Sequence, residues 1–490
     1  MRLQEHFHLG TSFNTILSTT SIIFTFLASL ITLHSDICLA QVKEEWVARY
    51  EGSINADTPV GIALDAIGNV YVAGTTGELT CPWITIKYDA QGRELWVSKF
   101  YGPEQSLMWI NFASAFAVDS SGNAYITGCS SRWDKRFSLT YTIKLDSNGN
   151  QLWMARFNDQ VSEYDGITSA VAVDIAGNVY VTGTGSSQDG EHREYKTIKY
   201  DGSGNLVWVS RYKDPDSMYD MANALALDTA GNVYVTGLSD DKLGLISSCT
   251  TIKYDGNGNL LWASKYTGPN GSGRNDAHDL AVDASGNVYV TGFGNGSGTS
   301  YDYVTIKYDS NGNEVWVARY DGVYNSSSTD DKASCIALDG AGNVYVTGTS
   351  NDPLETKFVT LKYDSNGNRI WMTEHRGSYM GTVENKPTSI TLDAAANVCI
   401  AGTGLGTDMY ADYFTVKYDN NGNQLWEAIY DYSQSGTGFN AFAVDSAASV
   451  YMVMQGSLDT VKLVDGSGSD ASAGSGGGSS GGCFINSLMP

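Results

Sequence analysis

Short apolar runs rich in β-branched and aromatic residues alternate with polar turns along most of this chain. Between Ser169 and Tyr212 the runs are SAVAVD, NVYVTG, YKTIKYD and LVWVSRY, and the turns DIAGN and DGSGN lie within the first and last pairs. Val, Ile, Tyr, Thr and Trp favour strands, whereas Asp, Gly and Asn favour tight turns. The pattern predicts four short antiparallel strands, and no helical period competes with it.

The four-strand pattern recurs with a nearly constant period. An Asp opens the first turn of each copy, and the intervals between successive copies are 54, 55, 54, 55, 56, 54 and 52 residues. These residues are Asp65, Asp119, Asp174, Asp228, Asp283, Asp339, Asp393 and Asp445. A fixed period of this size indicates a repeat architecture, and strands that are apolar on both faces indicate sheets stacked between neighbours. We predict an all-β fold, an eight-bladed β-propeller of four-stranded antiparallel blades.

The strand that contains the repeat Trp is out of step with the other three strands. Its first copy, EEWVARY around Trp46, precedes every blade, and the last blade has no copy after Asp465. We expect the N-terminal strand to pair with the run Thr460–Leu463, so that it completes the last blade and closes the ring. Ring closure also leaves few exposed strand edges, and we expect the protein to be a monomer.

The phrases DxxGNVYVTG and TIKYDxNGNxLW resemble the bacterial SBBP-type β-propeller repeat from about Gln41 to Asp465. The resemblance implies a propeller and says little about activity. The family's name implies seven blades, whereas eight repeats are counted in this sequence.

The ends of the chain differ in composition from the repeats, which divides it into residues 1–40, 41–465 and 466–490. Residues 1–40 contain Arg2, an apolar run from Ser21 to Leu33 and a small-residue end at Ala40, which is typical of a cleaved signal peptide. A membrane anchor is the weaker alternative, because about 13 apolar residues fall short of the roughly 20 that span a bilayer. We expect export to the periplasm, the cell surface or the medium, and no transmembrane segment in the mature chain.

The segment 466–490 begins with residues that are almost all Gly, Ser, Ala and Asp, which predicts a flexible linker. It leads to the sequence CFINSLMP. This end is either disordered or a short terminal handle, and Gly-rich tails ending in Cys-Phe-Ile are similar to those of some Gram-negative exported proteins.

The charge of the chain restricts its partners. It contains 30 basic and 54 acidic residues and has a formal net charge of −24. A surface of this kind repels nucleic acid and anionic lipid, and it favours solubility and cation binding. We exclude nucleic acid as a partner.

The cysteines do not recur at one repeat position, so they form no disulfide framework. Cys335 and Cys399 fall in predicted strands, where a buried thiol serves as a small apolar residue. Cys81 and Cys129 fall in equivalent loops of adjacent blades and could pair in an oxidising compartment.

A candidate ligand site comes from the division of the repeat into constant and variable connections. The turns DxxGN and DxNGN share one face of a propeller, and the other two connections, which vary, share the opposite face. A rigid scaffold with variable loops is a common way to present a binding site. Trp83, Trp109 and Trp133 are not required by the repeat and fall in the variable connections. We expect them to bind a ligand on one side of the ring, and the alternative is that they pack the loops together.

A second candidate is polar. An Asp or Asn occurs eight residues before the repeat Asp in six blades, at Asp57, Asn111, Asp220, Asn275, Asp331 and Asn385. These side chains could form an oxygen-rich ring suited to Ca²⁺, although turn capping is the commoner role of such residues. Each blade also has a Lys in its third strand, for which the repeat Asp is the expected structural partner.

The leading functional hypothesis is an exported binding or scaffold protein that presents its variable loops to a glycan or a protein. A propeller enzyme is the alternative, either a quinoprotein-like dehydrogenase or a polysaccharide lyase or hydrolase. The Trp motif resembles that of pyrroloquinoline-quinone dehydrogenases, but those enzymes often place adjacent cysteines over the cofactor, and this chain has no adjacent cysteines. We therefore disfavour that cofactor and keep Ca²⁺ as a candidate. A purely structural cell-surface component is the third hypothesis.

Overall fold

The computed structural model contains only β-strands and connections in the part of the chain that it describes. The described residues are 42–50, 57–78, 81–102, 109–132, 137–157, 167–187, 192–269, 271, 273–296, 300–324, 327–351, 356–376, 386–405, 411–430, 441–445, 447–454, 456–465 and 483–484. The predicted signal peptide, residues 1–40, lies outside them. Among them no helix is long and apolar enough to cross a membrane.

The strands form eight sets of four, which we number sheet 1 to sheet 8, and a parallel bridge between Arg193 and Tyr219 links sheet 3 to sheet 4. The first strand, β1 (Val42–Ala48), belongs to sheet 8. Sheet 1 contains β2 (Thr58–Leu64), β3 (Val70–Thr75), β4 (Trp83–Tyr88) and β5 (Glu94–Phe100). Sheet 2 contains β6 (Trp109–Val118), β7 (Ala124–Arg132), β8 (Phe137–Leu145) and β9 (Gln151–Phe157). Sheet 3 contains β10 (Ile167–Val173), β11 (Val179–Ser186), β12 (Arg193–Tyr200) and β13 (Leu206–Tyr212).

Sheets 4 to 8 repeat the arrangement. Sheet 4 contains β14 (Ser217–Leu227), β15 (Val233–Asp241), β16 (Ser247–Tyr254) and β17 (Leu260–Tyr266). Sheet 5 contains β18 (Asn275–Val282), β19 (Val288–Asn295), β20 (Tyr301–Tyr308) and β21 (Glu314–Tyr320), and a short hairpin of β22 (Val323–Tyr324) and β23 (Ser327–Ser328) follows it. Sheet 6 contains β24 (Asp330–Leu338), β25 (Val344–Asn351), β26 (Thr356–Tyr363) and β27 (Arg369–Arg376). Sheet 7 contains β28 (Lys386–Leu392), β29 (Val398–Leu405), β30 (Ala411–Tyr418) and β31 (Gln424–Tyr430). Sheet 8 contains β32 (Ala441–Val444), β33 (Val450–Val453), β34 (Thr460–Asp465) and β1, and β35 (Cys483–Phe484) lies at the outer edge of sheet 7.

Sheet 8 is the one set built from both ends of the described chain. Strand β1 pairs antiparallel with β34, and Trp46 lies opposite Lys462 in the expected register. Sheet 8 also contacts sheet 1 directly, because Val72 and Ile86 of sheet 1 share one hydrophobic core with Tyr451 and Val453 of sheet 8. The first and last sheets are therefore neighbours in space.

The middle strands are buried on both faces. In β11, Val179, Tyr180 and Val181 are all buried, although successive side chains of a strand point to opposite faces. One face packs on the preceding sheet and the other on the following sheet, as the separate cores around Tyr180 and Val181 record. This explains why the repeat reads as a continuous apolar run in its second strand.

The repeat Trp connects each sheet to the next. In sheet 3 the indole Nε1 of Trp208 donates to the carbonyl of Gly256, at 3.1 Å, in the second turn of sheet 4. The Lys199 ammonium donates to the same carbonyl, also at 3.1 Å. This shared acceptor, which we call the turn carbonyl, recurs in sheets 1 to 6, where the acceptors are Ser147, Gly202, Gly256, Ser310, Ser365 and Asn420.

The expected pairing of each third-strand Lys with the repeat Asp is therefore wrong for most sheets. A carboxylate contact within 4 Å is present for Lys417 with Asp393, at 2.9 Å, and for Lys87 with Asp65, at 3.7 Å. The repeat Asp instead caps its own turn, as we had also predicted. Asp228 accepts hydrogen bonds from the amides of Ala230 and Asn232 and from the hydroxyl of Tyr234.

Cys335 and Cys399 are buried, as predicted, and burial raises the pKa of both thiols to about 12. Cys81 and Cys129 are free thiols, so the disulfide that we considered between them is not formed. The structure gives both of them partly buried positions.

The two turns of sheet 4 offer a matched test of the contact between the Trp ring and the next turn. Gly231 and Gly258 both have positive φ, 80° and 83°, but a Cβ on Gly231 would meet nothing within 4 Å, whereas one on Gly258 would lie 2.7 Å from the Trp208 ring. Gly231→Ala should lower the free energy of unfolding by about 1 kcal/mol through the left-handed backbone alone. Gly258→Ala should lower it by a further ~1–3 kcal/mol, because the ring must move. Chemical denaturation measures both, and equal losses would contradict a tight Trp208 contact.

The matched pair is expected to fold because Ala already occupies this turn position elsewhere. Ala396 and Ala448 replace the Gly in sheets 7 and 8 and keep positive φ values of 58° and 65°. Gly231→Ala therefore measures the cost of a left-handed backbone at an Ala residue, and the turn type is expected to stay unchanged.

Candidate functional site

The variable connections of sheet 4 border an open cavity that is lined by several polar side chains. Its volume is about 210 Å³, and it lies between the connection from β13 to β14 and the connection from β15 to β16. The lining residues are Asp214, Asp216, Ser217, Ser239, Asp240, Asp241, Ile246, Ser248, Lys265 and Thr267. The cavity is on the side of the sheet that the sequence identified as variable, opposite the DxxGN turns.

The connection from β13 to β14 is held in place by two buried carboxylates. The amide of Asp214 donates to the Asp220 carboxylate at 3.0 Å, and Asp214 in turn accepts from the amide of Asp216 at 2.9 Å. Asp214 also forms an ion pair with Lys265. Asp214 is only 1% exposed, so this ion pair fixes the floor of the cavity.

The second connection places two adjacent carboxyl groups in different environments. Burial opposes ionisation of Asp241, but hydrogen bonds from the amides of Leu245 and Ile246 outweigh it and lower the pKa of this carboxyl. Burial raises the pKa of Asp240, and Arg274 only partly offsets that effect. The Asp241 carboxylate thus stabilises the loop by accepting its amide hydrogen bonds. The Asp240 side chain lines the cavity.

Two buried hydroxyl groups complete the lining. Ser217 and Ser239 are each at most 5% exposed, and their Oγ atoms have no hydrogen-bond partner of normal geometry among the described residues. Both lie near the Asp220 carboxyl, whose pKa burial raises to about 6 while these hydroxyls lower it. The cavity lining therefore contains carboxylates, one ammonium group and two serine hydroxyls that interact with the Asp220 carboxyl.

The Asp and Asn residues of the predicted ring are buried and form hydrogen bonds with the variable connections or the strands beside them. Asp57 accepts from the amide of Gly77 at 2.8 Å, Asn111 from Ser130 Oγ at 2.7 Å, and Asp331 from the amide of Gly322 at 2.6 Å. Asn275 donates to the carbonyl of Ser247 at 2.9 Å. Together with Asp220 these side chains are at most 1% exposed, and Asn385 lies outside the described residues. The geometry matches the capping alternative.

No cluster of three or more His, Cys, Asp or Glu side chains within the described ranges could hold a metal ion. The Ca²⁺ ring thus remains a prediction that rests on the sequence pattern.

The predicted aromatic patch fails at Trp83. This ring is 1% exposed and packs 5.3 Å from the Phe100 ring and against Gly128 in the core between sheets 1 and 2. Trp83 is therefore unavailable to a ligand. The backbone of Trp109 begins β6 and pairs with that of Arg132. Trp133 lies outside the described residues.

A closer alignment of the repeats would have identified Trp83 as a core residue. It lies four residues before the third-strand Lys, where other sheets have Tyr195, Tyr303, Phe358 and Tyr413, all of them buried. The cavity in sheet 4 was missed because its acidic residues come from two separate connections. The local signals were the acidic runs DPD at 214–216 and DD at 240–241.

Comparisons with known proteins agree with this architecture. The SBBP β-propeller repeat model matches residues 153–191 and 322–355. The chain therefore carries β-propeller repeats of the SBBP type. An uncharacterized WD repeat-containing protein of Acanthamoeba polyphaga mimivirus is 24% identical over 470 residues, and this chain spans 30% of that relative's length.

Solved structures that resemble this chain include two further propeller-type domains. The WD40 domain of SCAP from fission yeast matches with 10% identity and a TM-score of 0.48, over 87% of this chain and 98% of that one. The β-propeller domain of the Trilobed protease from Pyrococcus furiosus matches with 10% identity and a TM-score of 0.42, over 79% of this chain and 99% of that one.

The buried carboxyl of Asp331 makes stability depend on pH in a predictable direction. Burial raises its pKa from 3.8 to about 6, so its contribution to stability is complete below about pH 4 and is lost as the pH rises through about 6. Asp331→Asn should fold, because Asn111 and Asn275 occupy the equivalent position. Between pH 4 and pH 7 the variant should gain on the order of 1–2 kcal/mol relative to the parent. If the free energies of unfolding of the parent and the variant changed equally over this pH range, the raised pKa of Asp331 would be contradicted.

Proposed function

We propose that this chain is an exported eight-bladed propeller that binds a ligand through the variable connections of its blades. The single observation that carries the binding role is the cavity in sheet 4, where carboxyl groups, an ammonium group and hydroxyl groups meet between two variable connections. Export is supported by the signal-peptide pattern of residues 1–40. Mass spectrometry of the protein from its native host checks export, with Gln41 expected as the N-terminal residue.

A closed ring is supported by contacts between sheets 8 and 1 of the kind that join the other sheets. Trp46 Nε1 donates to the carbonyl of Ala90 at 3.1 Å, which is the turn carbonyl of sheet 1. Gly92 of the same turn lies against the Trp46 ring. An isolated bridge between Asp57 and Gly456 adds a backbone link. Together with the eight four-stranded sets, these contacts support our proposal of eight blades in one ring.

Ring closure predicts an unequal response to two deletions. Removal of residues 44–50 should expose β34 and eliminate the Trp46 contact, and it should lower the thermal midpoint by at least 10 °C or abolish folding. Removal of residues 242–245 from a surface connection should have a much smaller effect. Circular dichroism on both variants provides the measurement, and similar losses would count against a closed ring.

The chemistry of the cavity favours a sugar that is neutral or carries an amine. Asp214, Asp216, Asp240 and Asp241 outnumber the single cation Lys265, so the cavity repels uronates and sulfated sugars. The carboxylates of the lining accept hydrogen bonds from hydroxyl or ammonium groups of a ligand. The volume suits about one monosaccharide unit, so recognition of a chain end or a side branch is the expected mode.

A glycan array with the mature chain tests this proposal. Binding should be found for neutral or amino sugars and not for uronates, and Asp240→Asn should weaken it at least tenfold with little change in the thermal midpoint. Glu314→Gln is the matched control, because it removes an exposed carboxylate on β21 of another blade and should leave affinity unchanged. Binding that is insensitive to Asp240→Asn, or capture of a protein with no glycan signal, would reject the cavity as a sugar site.

A hydrolase or lyase is the second candidate, because Asp240 and Asp241 are adjacent carboxyls with oppositely shifted pKa values. Asp241 is already occupied by the loop amides, which weakens this candidate. Release of new reducing ends or unsaturated products from a bound glycan would support it.

A further inference from the structure

Sheet 6 departs from the repeat near the end of its fourth strand, β27. In the other seven sheets the fourth residue after the repeat Trp is Tyr or Phe, whereas in β27 it is His375. The seven residues are Tyr50, Phe100, Phe157, Tyr212, Tyr266, Tyr320 and Tyr430. The His375 ring is buried and stacks with Phe358 of β26 and with Phe414 of sheet 7, at centroid distances of 5.8 Å and 5.6 Å. A ring that can become cationic thus lies between two sheets where the repeat has a ring that cannot.

Sheet 7 departs from the repeat at a residue that contacts His375. The residue directly after the repeat Trp is apolar in seven sheets, whereas in β31 it is Glu427. The seven residues are Val47, Val97, Met154, Val209, Ala263, Val317 and Met372. One oxygen of the Glu427 carboxylate lies 3.4 Å from Nε2 of His375. Two exceptions to the repeat, which belong to different sheets, therefore meet across one junction.

The other charged residues of β26 and β27 lie away from the His375 ring. Side chains alternate between the two faces of a strand, so the chain neighbours of Phe358 and His375 point away from sheet 7. These neighbours are Lys357, Glu374 and Arg376, and Lys357 pairs with Glu374 at 3.6 Å. Lys362 points toward sheet 7, but it lies at the opposite end of β26, where its ammonium reaches the turn carbonyl.

Three titratable residues on the outer strands of sheet 7 share the face that packs on sheet 6. Asp412 and Tyr418 are on this face of β30, and Glu427 is on this face of β31. Within the described strands, Glu427 is the group whose charge acts on the imidazole, but burial outweighs it and lowers the pKa of His375. The closed junction therefore favours the neutral imidazole.

The same junction has a separate attachment at its other end. Trp371 Nε1 donates to the turn carbonyl of Asn420 at 3.0 Å, and the Lys362 ammonium donates to the same carbonyl at 3.2 Å. Trp371 lies four residues before His375 in β27, which corresponds to about 13 Å along the strand. Neither of these two hydrogen bonds uses an imidazole or a carboxyl group. We call this the turn end of the junction, and the end at His375 the variable end.

We propose that the stack of His375 with Phe358 and Phe414 is an acid-sensitive clasp, which closes the variable end at neutral pH and opens it in mild acid. Protonation would place a cation between buried rings, and the Glu427 carboxylate, which is partly exposed to water, offsets only part of the hydration that is lost. Because the pKa of the buried imidazole is below its ordinary value of 6.5, the open junction binds the proton more readily than the closed one. The stability of the clasp therefore falls as the pH decreases below about 6.5.

Hydroxyl-radical footprinting at pH 7 and pH 5, read by mass spectrometry, tests the clasp because it reports the exposure of individual rings. Labelling of Phe358 and Phe414 should rise at least about threefold at pH 5, since each pH unit below 6.5 can favour the open state by up to tenfold. Labelling of Trp371, at the turn end, should stay constant. Equal labelling of the Phe rings at both pH values would overturn the proposal, and so would an equal rise at Trp371.

Three variants assign the response to its groups. His375→Phe should abolish the rise, and it should fold because Phe100 and Phe157 occupy the same repeat position; His375→Tyr, with the residue of five other sheets, repeats the test if it does not. Glu427→Gln should enlarge the rise, because no carboxylate then offsets the buried cation. His278→Gln is the matched control, since it removes a more exposed imidazole in sheet 5 and should leave the rise unchanged. A rise that persists without an imidazole at position 375, or one that does not change in Glu427→Gln, would overturn the proposal.

Discussion

The contact between the repeat Trp and the turn of the following sheet is the interaction on which the architecture depends. A four-stranded sheet of this size cannot bury both of its faces alone, so each sheet is stable only against its neighbours. The turn carbonyl has two lone pairs, and the indole N–H and the Lys ammonium occupy both in six sheets. The Trp ring lies on the turn Gly, as Trp208 does on Gly258. One turn thereby fixes the distance and the angle between two sheets.

This arrangement also explains why the two faces of the repeat differ. The DxxGN and DxNGN turns are constrained by the capping Asp, and the second of them also by the neighbouring Trp and Lys, so their sequences vary little. The connections on the other face are held from within by buried side chains such as Asp220 and Asp331. Their outer residues remain free to differ, and in sheet 4 they form the cavity with Asp240 and Lys265.

The departures from the repeat are concentrated where the two ends of the chain meet. Strand β1 comes from the other end of the chain, so no hairpin joins it to β34. In the neighbouring sheet 7, Lys417 pairs with Asp393, Cys399 replaces a Tyr, and Trp426 Nε1 has no hydrogen-bond partner among the described residues. Strand β35 pairs with β31 of the same sheet.

The sequence by itself determined the strands, the turns and the strand that completes the last sheet, because these follow from local pattern and from the count of Trp46 and its copies. It also indicated the capping role of residues such as Asp228, since an Asx turn is formed by neighbours in the chain. Only the tertiary structure decided which groups meet between sheets. The Lys side chains cross to the next sheet, Trp83 points into a core, and the acidic residues of two separate connections converge on one cavity. Such contacts join residues about 50 positions apart, and their geometry depends on how neighbouring sheets pack, which no local pattern records.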